Sequence, residues 1–527
     1  MKDKITAGKT FLGIELGSTR IKAVLLDDTY ATIATGGYSW ENRYENGYWT
    51  YDMEDVYTGL RECYAALAAD VQTKYSVPLT TIGAMGISGM MHGYLVYDKD
   101  DNLLTPFRTW RNTTTAQAAD ILRDLFHFNI PQRWSIAHLY QAMLNGEEHV
   151  PQIARLTTLA TQIHYLLTGR HETGMCEASG MFPLLDGQYD ESMLQKFDTL
   201  AESYPWNIRD LLPAARPAGF RGAYLTEAGA KFLDPTGTLQ AGIPVCPPEG
   251  DGGTGMTATN AVLPGTGNVS AGTSVFSMLV LDKPLKGVYP EIDICTTPDG
   301  SPTAMVHSNN GCSELDAWVN IFREFAELSG HPMDISDIYS MLYHHAMSGD
   351  KDCGEVISYN LLAGEPVAGV EKGFPMIFRT PDSKMNLANM MQSQLYAAVT
   401  ALKLGMDLLV ESEGIHTAHF MAHGGLFKVK GAAQQILANS LNTPVSTVAT
   451  AGEGGAWGMA LLAAYMGTGS GKSLGQWLET EIFAGQDSLY LEPDPAGVAG
   501  YEAYMKQYKA GIAGVNGLKE VQVCWNN

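Results

Sequence analysis

The sequence predicts an α/β protein of two related domains with a cleft between them. Three observations carry that prediction. The chain has 527 residues, more than one ordinary core can use, so two large domains are expected. Apolar strand-like runs end in glycine-rich turns and lead into helical periodicity in both halves. One short hairpin also occurs twice. Gly17-Ser18-Thr19-Arg20-Ile21-Lys22-Ala23-Val24-Leu25-Leu26-Asp27 can be laid without gaps on Gly272-Thr273-Ser274-Val275-Phe276-Ser277-Met278-Leu279-Val280-Leu281-Asp282. Glycine, two hydroxyl residues, a β-rich run and a closing Asp fall at the same offsets; chance likeness of two short hairpins is the alternative.

The chain is organised around residues 247–283. Asp251 sits there in a loop among Gly250, Gly252, Gly253 and Gly255. Glycine lets backbone approach a ligand closely, so this carboxylate is expected to face something. Ala271-Gly272-Thr273-Ser274 then precedes the apolar run Val275–Leu281, a tight turn between strands with amides and hydroxyls exposed. Such turns make concave anion sites. Two phosphate-sized turns and one glycine-flanked carboxylate suggest a nucleotide cleft.

Composition narrows the classes. Hydrophobic residues are 45% and charged residues 17%, which is globular. A net charge of -23 excludes a nucleic-acid surface, which needs a basic face. An anionic ligand would have to be met by backbone amides, a few basic side chains and a metal ion. No secretory h-region opens the chain, and the apolar stretch Gly454–Gly469 is too short and glycine-rich for a membrane span. Seven scattered cysteines without a CxxC fit a reducing cytoplasm and argue against zinc or a disulfide scaffold.

In chain order, strands are expected at 10–16, from the turn to 26, and at 30–40, then a helix at 52–75. The strand 82–88 delivers Gly89-Met90-Met91-His92-Gly93, and loops after central strands carry ligands in α/β sheets. A helix beginning at Asn112 or Thr113 should reach Phe126. Others are expected at 133–145 and 149–167, the latter capped by Gly169. The second half predicts a helix at 390–412, a strand at 419–422 ending in His423-Gly424-Gly425, a helix at 431–440, a strand at 445–448, and a small-residue helix from Glu453 to about Tyr465. Met466-Gly467-Thr468-Gly469-Ser470-Gly471-Lys472-Ser473 looks like a P-loop, but the first Gly is Met466 and it follows a helix where the motif needs a strand, so it reads as a loop. Adjacent His344 and His345 read as helix surface.

These residues together resemble the FGGY carbohydrate kinases, within the actin-like and sugar-kinase ATPase superfamily. Gly13-Ile14-Glu15-Leu16-Gly17-Ser18-Thr19 resembles the first phosphate motif and Ala271-Gly272-Thr273-Ser274 the second. Gly250-Asp251-Gly252 resembles the catalytic-base loop and Gly424-Gly425 the adenosine motif. Leu167-Thr168-Gly169 with Ala178-Ser179-Gly180 resembles the N-domain pattern, and Met91-His92-Gly93 with Trp110 is similar to the sugar loop of xylulokinases. Glu15 stands where the family has Asp, Arg111-Asn112 where xylulokinases have Asn-Asp, and the stretch 134–140 matches poorly.

The resemblance implies two ribonuclease H-like domains, 1–258 and 259–527, and phosphoryl transfer from ATP to a sugar hydroxyl. Asp251 would be the general base. Gly17, Ser18, Thr19, Gly272, Thr273 and Ser274 would cradle phosphates, and Gly424 and Gly425 would meet the adenosine. Glu15 would attend Mg²⁺, Met91, His92, Gly93, Trp110 and Arg111 would line the sugar site, and Lys22 reads as solvated. Read alone, His92 has a structural histidine as its alternative reading, and Trp110 a plain core residue. The implied partners are a small sugar and ATP, with D-xylulose or L-ribulose leading. Another ketose or a polyol, and a non-catalytic nucleotide switch or sugar sensor, stay open. Nothing fixes the oligomer; a homodimer through the second half is one option.

Overall fold

The computed structural model describes residues 1–448, 454–469, 471–485 and 488–518. Glu453, Ser470 and Cys524 lie outside the described residues; the other six cysteines are free thiols, all buried. The chain forms two compact units. The first comprises Met1–Leu263, Asp293–Thr303 and Glu453–Ala484; the second comprises Pro264–Ile292, Ala304–Gly452 and Gly485–Asn527. Beyond residue 258 the chain therefore returns twice to the first unit.

In the first unit, β1 (Thr10–Leu16), β2 (Arg20–Asp27) and β3 (Thr32–Ser39) form an antiparallel meander. On its other side β1 pairs in parallel with β4 (Ala84–Gly89). The edge strand β5 (Ala223–Tyr224) runs antiparallel to β6 (Pro244–Val245), which pairs in parallel with β4. The sheet order is β5-β6-β4-β1-β2-β3. Leu12, Ile14, Leu25, Leu60 and Ile87 are buried in its core with helix Met53–Tyr75, whose N-cap Asp52 accepts from Glu54 N–H. A second core of Tyr94, Leu122, Trp134, Leu139 and Phe182 serves the helical segment that follows.

In the second unit, β7 (Thr266–Ala271) and β8 (Val275–Val280) make the antiparallel hairpin, with β9 (Pro302–Ser308) beyond β8. The strand β10 (His419–Gly424) pairs in parallel with β7, β11 (Val445–Val448) in parallel with β10, and β12 (Ser488–Leu491) antiparallel to β11. Each unit thus repeats one plan: hairpin, third strand, then two parallel strands and an antiparallel edge. Helix Leu387–Asp407 is buried along most of its length, and Tyr501, Tyr504 and Tyr508 of helix Pro495–Gly517 pack against Tyr396 and Tyr359.

The ungapped overlay of the two hairpins slips by one residue. In the first unit Leu16 faces Ile21, while in the second Ala271 faces Val275, so the second turn is one residue shorter. A one-residue slip moves every following side chain to the other face. Lys22, across from Glu15, therefore corresponds to Phe276, across from Ser270, and not to Ser277.

Other expectations shift too. Asp251 is not in a loop but is the first residue of helix Asp251–Ala258, with Gly250 as N-cap. The helix expected from Asn112 starts at Ala116, because the Asn112 side chain bonds the backbone of Trp49 and Thr109. The span 149–167 splits into a single 3-10 turn, Val150–Gln152, strand Arg155–Thr157 and helix Leu159–Thr168, closed by Gly169 at φ 72°. The helix at 390–412 ends at Asp407 and widens into a π turn, Leu408–Ser412. Helix Gly454–Thr468 lies against β1 and helix Asp251–Ala258.

A Cβ on Gly13 would stand 2.1 Å from Ala456 O. Gly13→Ala is expected to cost about 1–3 kcal/mol by forcing strand and helix apart. Gly514→Ala, in a helix with nothing within 4 Å of the new methyl, should gain about 0.5–1 kcal/mol. Thermal denaturation of both variants checks the pair.

Candidate functional site

In the first unit, β1, β4 and the short segment Glu249–Gly250 end side by side. Glu15 pairs with Ser88, and Ser88 with Glu249. Parallel register therefore brings the first turn, the 89–93 loop and Asp251 to one edge of the sheet, where α/β folds hold ligands. Ser88 and Thr254 share a hydroxyl hydrogen bond of 3.1 Å that ties helix Asp251–Ala258 to β4.

Asp251 is open to water yet crowded by protein. Its Oδ1 accepts from Met91 N–H at 3.2 Å and Gly252 N–H at 3.1 Å. Burial, then the charge of Glu15, push its pKa up to about 6. Glu15 is half-buried, and its own pKa is raised by burial against the pull of Lys22 and of the Ala456 and Gly455 amides. The Gly454-Gly455 end of the small-residue helix is thus turned toward a carboxylate, where a helix N-terminus favours negative charge.

Two carboxylates within electrostatic reach fit a hard cation. Mg²⁺ is commonly held by one or two carboxylates, phosphate oxygens and water. Among the described residues no group of three or more His, Cys, Asp or Glu could hold a metal, so phosphates and water would have to complete the shell.

The sugar loop is strained. His92 has φ 69° and Gly93 φ 92°, and a Cβ on Gly93 would meet Arg108 O at 2.8 Å. Left-handed backbone at a β-carbon residue is a strain that surrounding structure must hold. Here Ser135 Oγ donates to Gly93 O at 2.6 Å, and Gly93 N–H donates to Arg133 O at 3.2 Å. His92 Nδ1 lies 3.1 Å from Gly180 O. A carbonyl only accepts, so Nδ1 carries the proton and Nε2 is left an acceptor. Burial, then Arg133, lower the His92 pKa to about 3, so the ring is neutral. The Met91 side chain is buried over Gly250 and touches Cys176 Sγ at 3.8 Å.

Trp110 is 40% exposed, and its indole N–H donates to Ser18 Oγ at 3.3 Å. It reaches the first turn and is not core. That turn is also held by Trp40 Nε1 on Gly17 O and Tyr51 OH on Ser18 O. Arg111 stacks its guanidinium 3.8 Å from the Trp49 ring centroid.

In the second unit Gly272 and Thr273 are exposed and Ser274 is half-buried. Gly311 and Cys312 amides donate to Thr273 O and Gly272 O, so the turn is gripped by its carbonyls from one side. Ala271 pairs with Gly424 in the parallel ladder, which sets 272–274 and Gly424-Gly425 at adjacent strand ends. Gly424 has φ 104°, and a Cβ there would lie 2.3 Å from Ala271 O; Gly425 is open.

Sequence reasoning missed several polar groups around Asp251. Glu177 and Glu249 are buried, with Glu249 Oε2 accepting from Glu177 N–H at 3.1 Å and its pKa raised to about 8 by burial. Arg133 pairs with Asp293. Glu249 beside Gly250 and Arg133 beside Trp134 carry a signal that many surface positions share, and Glu177 and Asp293 carry none.

Two models of one family cover most of the chain. That for the N-terminal domain of the FGGY family of carbohydrate kinases matches residues 10–256, and that for its C-terminal domain residues 267–467. A xylulose kinase of Haemophilus influenzae is 23% identical over 452 residues, covering 82% of this chain and 86% of its own length. Of solved structures, a xylulose kinase from Rhodospirillum rubrum aligns with TM-score 0.77 at 17% identity, covering 97% of this chain and 99% of that one. A gluconate kinase from Lactobacillus acidophilus aligns at 0.76 and 17%, with the same coverage of 97% and 99%. At such identities the structural likeness shows the fold.

The electrostatics predict a titration. Burial and Glu15 both disfavour the Asp251 anion, so the group is neutral below pH about 6 and ionised above it. Glu15→Gln removes the negative neighbour and should move that midpoint to lower pH. Carboxyl carbon NMR shifts of Asp251 in both proteins check the direction.

Proposed function

The chain belongs to the FGGY family of carbohydrate kinases, and from that premise we propose that it phosphorylates a ketopentose hydroxyl with Asp251 as general base. D-xylulose and L-ribulose are the leading substrates. The activity at the family level is ATP-dependent transfer to a sugar. The observation that carries the finer reading is the Asp251 carboxylate, open to water, anchored on the Met91 amide and raised in pKa to about 6.

Met91 and Gly252 both donate to Oδ1, which leaves Oδ2 to take the proton of the attacking hydroxyl. A pKa near 6 leaves the group ionised at neutral pH while keeping it basic enough to accept. Phosphoryl transfer asks little covalent chemistry of the protein, so positioning and charge neutralisation dominate. In this reading the amides and hydroxyls of Gly17, Ser18, Thr19, Gly272, Thr273 and Ser274 hold the phosphates, and Gly424-Gly425 backs the adenosine. Mg²⁺, when bound beside Glu15, supplies neutralisation of phosphate charge. Met91, His92, Gly93, Trp110 and Arg111 line the sugar, with His92 Nε2 accepting from a hydroxyl. The domain division at 258/259 is proposed with the two returns to the first unit described above. No described helix is long and apolar enough to cross a membrane.

The xylulose kinase names of the relatives support a pentose. A second reading, another ketose or a polyol, is favoured by Asn112. It replaces a family carboxylate, and its side chain is spent on Trp49 and Thr109.

An ADP-release assay with Mg·ATP across ketopentoses, hexuloses and polyols tests both readings. A ketopentose should raise turnover well above the sugar-free rate; a hexulose or polyol as best substrate would replace the first reading by the second. Asp251→Asn should cut sugar-dependent turnover by about 10²–10⁴-fold while nucleotide binding, read by calorimetry, persists. Substantial turnover in a folded Asp251→Asn protein would remove the base assignment.

A further inference from the structure

Arg133 is a charged group beside this site that the proposed chemistry leaves unused. Its backbone carbonyl holds Gly93 N–H, so it is built into the sugar loop's support. The next residue, Trp134, stacks on His92 with ring centroids 6.3 Å apart at 18°. The Arg133 guanidinium donates to Asp293 Oδ2, and Asn129 Nδ2 donates to Asp293 Oδ1 at 3.2 Å. Asp293 is the second residue of strand Ile292–Thr296, whose Thr296 N–H donates to Ser179 Oγ. Ser179 precedes Gly180, the partner of His92. The pair is therefore fixed from three directions.

Its environment is that of a wall. The Arg133 side chain keeps 27% of its surface open, yet burial lowers its pKa to about 10, against the pull of Cys295 and Asp251. A guanidinium has five N–H donors. Among the described residues Asp293 is the one acceptor bonded to it. Open donors in a crowded place, within electrostatic reach of Asp251 and His92, suit a ligand oxygen.

The charge count decides which ligand. Asp293 neutralises Arg133 where it stands, Lys22 opposes Glu15, and of the remaining lining Asp251 is negative and Arg111 positive. An added carboxylate on the sugar would find the Arg133 charge already cancelled by Asp293 and Asp251 close by, whereas neutral hydroxyl or carbonyl oxygens need only the open N–H donors.

We propose that Arg133, clamped by Asp293, is a specificity-determining residue that binds acceptor oxygens of an uncharged sugar, and that Asp293 cancels the charge that would otherwise admit sugar acids. This rests on the kinase reading above and names the substrate class for that site.

Calorimetric titration without ATP tests it, using D-xylulose, L-ribulose, xylitol and D-gluconate on the full chain. Arg133→Gln should weaken binding of the best neutral sugar about tenfold or more, the loss of a hydrogen bond from a charged donor. Arg133→Lys, which keeps the charge but not the planar fork, should recover part of that. Asp293→Asn should raise the gluconate-to-ketose affinity ratio by about tenfold or more. An Arg133→Gln protein that binds the neutral sugar within twofold of the parent overturns the proposal. So does a lower melting temperature in both variants with an unchanged ratio, which marks a purely structural pair, and so does a parent that binds none of the four. If sugar binds as proposed but does not stimulate ADP release, the kinase reading fails while this one stands.

Discussion

The arrangement around Asp251 depends on how closely helix Gly454–Thr468 can approach β1. At Gly13 the strand has no side chain, and the Ala456 carbonyl and Ala460 amide occupy the space a methyl would fill. The same helix presses on Thr254 at Gly458, where a Cβ would stand 2.1 Å from Thr254 O. Two glycine contacts thus fix one helix against the strand and the helix that carries Asp251 together. Its first amides meet Glu15 as a result, and the field of Glu15 reaches Asp251. Geometry and acidity of the site share a single packing cause.

Much of this was legible in the sequence because it followed local rules. The strands that bracket the two turns were marked by apolar runs and glycines, and helix Met53–Tyr75 by its apolar period. The family of the chain was legible from fragments in order. What was not legible depended on partners distant in the chain. Asn112 looks like an N-cap, but its amide serves the Trp49 backbone. Asp251 among glycines reads as a turn because glycine disfavours helix, and packing of helix Gly454–Thr468 overrides that preference. Arg133 could not be selected because Asp293, the residue that fixes it, lies 160 positions away.

The two hairpins show how similar sequence can carry unequal chemistry. Both units share strand order, and both turns offer exposed polar groups. Yet the shorter second turn puts Phe276 across from Ser270, where the first unit has Lys22 across from Glu15. The ionisable pair belongs to one unit alone. The second unit instead sets its turn beside Gly424-Gly425 through the Ala271–Gly424 pairing. One plan has diverged into an acidic edge and an amide-rich edge.

The composition of the first unit also sets an order of events during synthesis. Its β1 and β2 are made first, but the helix that covers Gly13 is encoded at Gly454–Thr468. A ribosome must therefore translate nearly the whole chain before that face of the sheet can be covered. Until then the nascent first unit presents a bare glycine-containing strand surface, and the second unit, needing only residues already emerged for its central hairpin and β10, can begin to assemble ahead of it.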